Sequence, residues 1–498
     1  MSAYQFAALV VVVMGPVLAL SRAVGAPPSL ALFAAGLLSA FLPGLPPSRV
    51  DPQLALDLFL PPLVYASAVR VSFHLLRFTL VPGVLFGAAI VVATVALVGF
   101  AAWGLLLPGL PWTAALLLGI VASVFDTRLF HEAEGRPHVP RAIADTLKAR
   151  ELVSRLFILA SLSLGLESAT QAEFSLLAVL EHYALDIPAG IALGLVLGRL
   201  IVWARERIDP APIEIALSVA TPYAASLAAA ALGVSGVAAI TAAALVVSTI
   251  RIDRRTGAPI SSSETRISAV AFWEEASLMI SSALFFLAGR ALPEALAALD
   301  DQPLPQLLAA TLGVLAVVLA VQFALSYLST FATAVASVLK ARRAGEGPRR
   351  FAAAGVMAWS STRSAIGLVI ALSIPPTLPN GEPFAARELI LVVAALMIVG
   401  STLLQGMTLR FTVAWASLGG ENEQDAEESR ARQAMEAAHA APGAENANGF
   451  DAARQALLRL REQNRIGDEV LVGMLRETDL SSRAAEGNAL PGAGPPNP

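Results

Sequence analysis

The apolar positions of this chain come in runs of about twenty residues, one after another from residue 4 to residue 412, with short polar segments between them. A helix needs about 20 apolar residues to cross roughly 30 Å of hydrocarbon. The pattern predicts about thirteen such helices, at 4–20, 28–44, 53–69, 78–107, 112–130, 149–167, 179–204, 212–232, 234–250, 269–289, 304–339, 351–375 and 387–412. Near residue 417 it changes. Residues 421–440 are acidic and helix-forming, a linker follows, residues 450–480 show apolar positions at helical spacing, and the end of the chain is poor in hydrophobic residues and expected to be disordered. The expected organisation is a membrane domain over 1–416 and a tail over 417–498.

Basic residues sort by loop. Those after odd-numbered spans hold Arg22, Arg70, Arg77, Arg128, Arg136, Arg141, Lys148, Arg205, Arg207, Arg251, Arg254, Arg255, Arg266, Lys340, Arg342, Arg343, Arg349 and Arg350, whereas those after even-numbered spans hold only Arg49, Arg290 and Arg387. Positive charge stays on the cytoplasmic side, which places the N-terminus outside and the tail in the cytoplasm of a multi-pass plasma (inner) membrane protein. The first run has no basic segment before it and reads as a span rather than a cleaved signal.

Composition agrees and narrows the function. Of 498 residues 56% are hydrophobic and only 14% charged, too few charges for an ordinary soluble protein. A net charge of −4 and the scatter of basic residues over short loops give no reason to expect a nucleic-acid partner. With no cysteine, disulfides and thiolate metal sites are excluded. No nucleophile–base set, phosphate loop or metal-ligand spacing is present, so neither an enzyme nor a cofactor is expected.

The candidate chemistry lies in ionisable residues inside the spans, each of which needs a partner or a wet cavity. Asp126 falls near the end of span five, and Glu151 and Arg155 lie four apart at the start of span six, the acid-before-base order that favours an ion pair. The less favoured reading of Asp126 and Arg155 is as charges reaching the cytoplasmic headgroups. Glu274 and Glu275 fall in the expected first turn of span ten, where acids suit the helix dipole, with Ser281 and Ser282 beyond them. Arg363 sits midway along span twelve among Ser360, Ser361, Thr362 and Ser364, and is expected to be buried with an acid from span five or six as partner. His131 and His138 read as loop residues.

FLPPLVY in span three, LGIVASVFD in span five, PIEIALSVATPYAASLAAAALGVSGVAAITAAALV across spans eight and nine, FWEEASLMISSALFFLAG in span ten and WSSTRSAIGLVIALSIP in span twelve resemble the monovalent cation/proton antiporters of the CPA1 group, the NhaP and NHE-like exchangers. The resemblance covers about residues 10–415. It implies an all-α, inverted-repeat membrane fold with discontinuous helices, alternating access, a homodimer in the lipid bilayer, and Na⁺ or K⁺ exchanged for protons in pH homeostasis.

The family's motifs map onto Asp126, flanked here by Phe125 and Thr127, and onto Ala149 to Arg155, where Arg150, Glu151, Ser154 and Arg155 replace its glutamate, serine, asparagine and key aspartate; a register shifted by one puts Glu151 on the glutamate and Arg155 and Leu156 at the last two positions, and neither restores the acid. The family's arginine falls on Arg363 and its span-ten asparagine on Ser281. The implied transport site is Asp126, Thr127, Glu151, Ser154, Arg155, Ser281 and Arg363. Arg155 then acts as a tethered cation beside Asp126, and Glu151 is either a titrating acid or the partner of Arg363. Three readings stay open: an antiporter with an atypical ion site, a non-transporting sensor or scaffold on the same fold, and a carrier of another solute such as an anion drawn by Arg150, Arg155 and Arg363.

Overall fold

The computed structural model describes residues 3–43, 52–69, 73–127, 141–171, 181–205, 207, 211–248, 263–299, 302–339, 347–378, 381–416, 421–440 and most of 447–481. His131, His138, about half of the basic loop residues and the end of the chain expected to be disordered lie outside these. The described chain is almost wholly helical. The helices run α1 Ala3–Val24, α2 Pro28–Ser39, α3 Leu60–Ala68, α4 Phe73–Ala101, α5 Trp112–Ser123, α6 Arg141–Gln171, α7 Ile187–Arg205, α8 Ala211–Leu232, α9 Gly236–Ser248 and α10 Ser263–Ala297. After them come α11 Leu304–Leu339, α12 Gly347–Trp359, α13 Ala365–Leu372, α14 Ala386–Ser401, α15 Met407–Ala416, α16 Glu421–His439 and α17 Ala447–Glu462.

Six stretches are by length and composition able to cross a membrane alone, Phe86–Leu106, Ala184–Arg205, Ile213–Leu232, Ala271–Ala297, Leu304–Ala332 and Ala386–Ala416. The other segments read from the sequence fall on shorter apolar helices, on α6, or on a broken helix. Two of them differ from the continuous spans that their hydropathy suggests. Span five is helical only to Ser123 and then extended through β1, Phe125–Asp126; span twelve stops at Trp359, passes through β2, Thr362–Arg363, and resumes as α13. The two extended pieces pair antiparallel, Phe125 with Arg363 and Asp126 with Thr362. Hydropathy cannot register such breaks, because the segments that leave the helix are only a few residues long and largely buried.

Span six begins earlier than its charges suggest: α6 starts at Arg141, so Arg150, Glu151 and Arg155 lie in its interior. Likewise α10 starts at Ser263, which puts Glu274 and Glu275 well inside the helix, on its exposed side, and not in its first turn.

Core packing explains why the crossing is held. All eight residues of α13 are buried, and a helix apolar all round belongs in an interior. It packs against α3, α5, α10 and α14. Close helix approach is bought with glycine: a Cβ on Gly36 of α2 would meet the Phe286 carbonyl oxygen at 2.0 Å, and one on Gly289 of α10 would meet that of Phe33 at 2.1 Å. Before α3 the chain makes a π-helical turn, Ala55–Phe59. Pro62 brings no N–H to the Leu58 carbonyl four residues back, and the Tyr223 hydroxyl donates to that oxygen instead, at 3.0 Å.

In the tail, α16 and α17 pack with Ile466, Val470, Leu471, Met474 and Leu475 around Ala431 and Leu457, a small apolar cluster of its own. Buried Glu427 accepts from the Gly467 amide at 2.6 Å there.

Candidate functional site: the crossing of two broken helices

A helix that stops inside a protein leaves carbonyls without partners and the negative end of its dipole exposed to the interior. Two such ends meet here, those of α5 and α12, and an arginine serves each. Arg363 donates to the Ala122 carbonyl in the last turn of α5 and to that of Ser361 in the break, both at 2.7 Å. Arg150 donates to the Met357 carbonyl of α12 at 3.1 Å, to Ser326 Oγ of α11 at 3.2 Å and to Ser361 Oγ. The Phe125 ring lies between them, its centroid 5.3 Å from the Arg150 guanidinium carbon and 6.0 Å from that of Arg363. With its amide oriented to satisfy both ends, Gln322 accepts from Arg363 and donates to the Ala358 carbonyl at 3.2 Å. Among the described residues, neither Arg150 nor Arg363 has a carboxylate within ion-pair distance.

The carboxylates gather on the other side of β1. Glu151 accepts from the Thr127 amide at 3.0 Å and from the Thr127 hydroxyl, and forms an ion pair with Arg155 one turn along α6. Arg155 also faces Asp126, Nη2 to Oδ2 3.6 Å, an ion pair longer than a hydrogen bond. The guanidinium is 5% exposed, while Asp126 and Glu151 are 17% and 13% exposed. The two acids are therefore the reachable members of the trio and the arginine its buried one. The Thr362 hydroxyl donates to the Asp126 carbonyl at 3.0 Å, so the aim of Asp126 depends on β2 as well as on its own strand.

A model of the transmembrane sodium/hydrogen exchanger family matches residues 9–415. The chain belongs to the sodium/hydrogen exchanger family. An uncharacterized Na⁺/H⁺ exchanger of Mycobacterium tuberculosis is 31% identical over 438 residues, 86% of this chain and 78% of the relative. A sodium, potassium, lithium and rubidium/H⁺ antiporter of Bacillus pumilus is 25% identical over 380 residues, 75% of this chain and 55% of the relative. Among solved structures, the sodium proton antiporter MjNhaP1 from Methanocaldococcus jannaschii superposes with a TM-score of 0.61 at 16% identity, covering 84% of this chain and 99% of that one, which shows the same fold.

In this exchanger the sequence-derived residues divide. Asp126, Thr127, Glu151 and Arg155 come together. Ser154 is fully buried but turned away, donating to the Gly87 carbonyl of α4 at 3.2 Å, where it fastens α6 to α4. Ser281 is buried on α10, a helix that packs against α13. Arg363 is buried as expected, but the acid partner is corrected: Glu151 turns to Arg155 and Thr127, and Arg363 is held by carbonyls and Gln322. The physical reason is that the α5 and α12 ends already present a concentration of negative partial charge.

Several residues of the exchanger's crossing escaped the sequence reading. Gln322 and Ser326 on α11, and Ser401 and Gln405 beyond the break, are all buried. Their signal was present as polar pairs four residues apart in otherwise apolar helices, one face of a helix turned toward polar neighbours.

Proposed function

We propose that the chain exchanges a monovalent cation, Na⁺ or K⁺, for protons across the plasma (inner) membrane, with Asp126 and Glu151 as the acids for which cation and proton compete. The observation that carries this is the partly accessible carboxylate pair at the crossing, joined by one buried guanidinium. Two carboxylates and one guanidinium leave one net negative charge, enough for one cation or one proton and not both. Exchange is then one for one and moves no net charge. Thr127 holds Glu151 in place, and alternating access carries the loaded trio from one side to the other.

Reconstituted protein in proteoliposomes with an imposed pH gradient tests the proposal, offered Na⁺, K⁺, Li⁺ and Rb⁺ in turn and common anions as controls. Proton-coupled cation flux whose rate ignores an imposed membrane potential is expected. Anion flux alone, no flux, or a rate that follows the potential contradicts it.

The same reading includes thirteen crossings, an external N-terminus, a membrane domain over 1–416, a cytoplasmic tail over 417–498 and a homodimer. The alternation of basic loops supports the orientation, and the resemblance supports the dimer. Reporter fusions at the two ends should place the N-terminus outside and the tail inside, and native mass spectrometry in mild detergent should give a dimer mass. An external tail or a uniform monomer contradicts the corresponding part.

A further inference from the structure

The break between α12 and α13 needs hydrogen-bond partners from outside the helix, because its residues Ser360, Ser361, Thr362, Arg363 and Ser364 are all buried. Gln405 and Ser401 provide them as a connected set. The Arg363 backbone amide donates to Ser401 Oγ at 3.0 Å, and the Ser401 hydroxyl donates to Gln405 Oε1 at 2.6 Å. Gln405 Nε2 donates to the Trp359 carbonyl at 2.9 Å and reaches that of Ser361 at 3.4 Å. Both side chains are fully buried. One amide thus ties the last residue of α12 to the backbone of β2.

Gln405 lies in a π-helical turn, Thr402–Gly406, between α14 and α15. Ser401, Thr402 and Gln405 face inward there, and Leu403 and Leu404 face outward. Such turns recur at functional sites because the extra residue re-aims a side chain. From β2 the connection runs on to the acids: Thr362 pairs with Asp126 and its hydroxyl holds the Asp126 carbonyl.

We propose that Gln405, acting through Ser401 and β2, is a positioning residue that sets the aim of Asp126 in the exchange site. It touches neither the acids nor a transported ion. This rests on the exchange reading above, and its test separates the two.

Gln405→Glu is the informative change. An ionised glutamate would set a negative oxygen against the Trp359 and Ser361 carbonyls, which can only accept; the protonated acid still has a hydrogen to donate. The apparent KM for Na⁺ should match wild type at acid pH and rise about tenfold as the introduced acid ionises, the low end of what losing a partner behind an ion's ligands costs in affinity. Gln405→Leu should raise KM at every pH, and Ser401→Ala should do so more weakly. If the side chain only filled space, Gln405→Leu, which is close to it in volume and lacks its hydrogen bonds, would keep the wild-type KM at every pH. An unchanged KM in all three variants, or a change in Gln405→Glu that does not vary with pH relative to wild type, overturns the proposal.

Hydrogen–deuterium exchange on the full-length protein reads the same tie without transport. Gln405→Glu at alkaline pH should speed exchange at both residues 124–127 and residues 359–363. Speeding at 359–363 alone, with 124–127 as in wild type, overturns the link to Asp126 whether or not wild-type protein moves cations, whereas a wild-type protein that moves none defeats the exchange reading by itself.

Discussion

Replacing Arg155 by leucine is expected to cut Na⁺ exchange at neutral pH by about tenfold or more and to restore it only under alkaline conditions. The guanidinium stands between Glu151 and Asp126, and without it two largely buried carboxylates face each other. Like charges that close do not both stay ionised, and one carboxyl keeps its proton up to higher pH. The protonated carboxyl is no longer a charged ligand, so a cation meets one carboxylate where the wild-type site offers two. Arg155→Lys keeps the charge and loses the planar fork, so its profile should lie between the two. The measurement is the pH dependence of Na⁺ exchange in proteoliposomes for the three proteins. A leucine variant whose profile superimposes on wild type would remove Arg155 from the site. Arg155→Asp is the less informative change, because with both Glu151 and Asp126 facing the arginine it would crowd three carboxylates together.

Arg363→Leu is expected to cost roughly 3–5 kcal/mol of stability, since it strips charged hydrogen bonds from two buried carbonyls and leaves the end of α5 uncompensated. Against a folding stability of about 5–15 kcal/mol that is a large share. Thermal unfolding in detergent, followed by tryptophan fluorescence, should show a clearly lower transition or a protein that no longer purifies as one species, and Arg363→Lys should fall between. An unchanged transition in the leucine variant contradicts the capping role. Combining Arg363→Lys with Glu151→Gln tests the pairing itself. Residues that share no partner add within about 0.5 kcal/mol, which is the result expected here; strong coupling would restore the direct pair that the family resemblance implied.

The helices and their order could be read because membrane insertion writes its requirement into length and apolarity, which survive residue by residue. The acid-before-base pair Glu151 and Arg155 was readable for the same local reason: four residues on a helix fix the distance. The crossing was not. Phe125 and Arg363 are 238 positions apart, and no local pattern states that their strands pair; the extended turns at 124–127 and 360–364 are buried and short, so hydropathy runs straight through them. That is why Arg363 was assigned an acid. An arginine in an apolar span requires compensation, but the sequence does not say whether a carboxylate or a helix end provides it. Gln405 and Ser401 were visible as a polar pair at helical spacing, yet their meaning depends on the break they serve.

The most direct test of the account is Na⁺/H⁺ exchange by reconstituted wild-type protein beside Asp126→Asn and Glu151→Gln, each confirmed as folded by its elution and thermal unfolding. Proton-coupled exchange is expected in wild type, loss to background in Asp126→Asn, and a strongly reduced, pH-shifted rate in Glu151→Gln. Wild-type exchange that persists undiminished in both variants would place the ion elsewhere and contradict it.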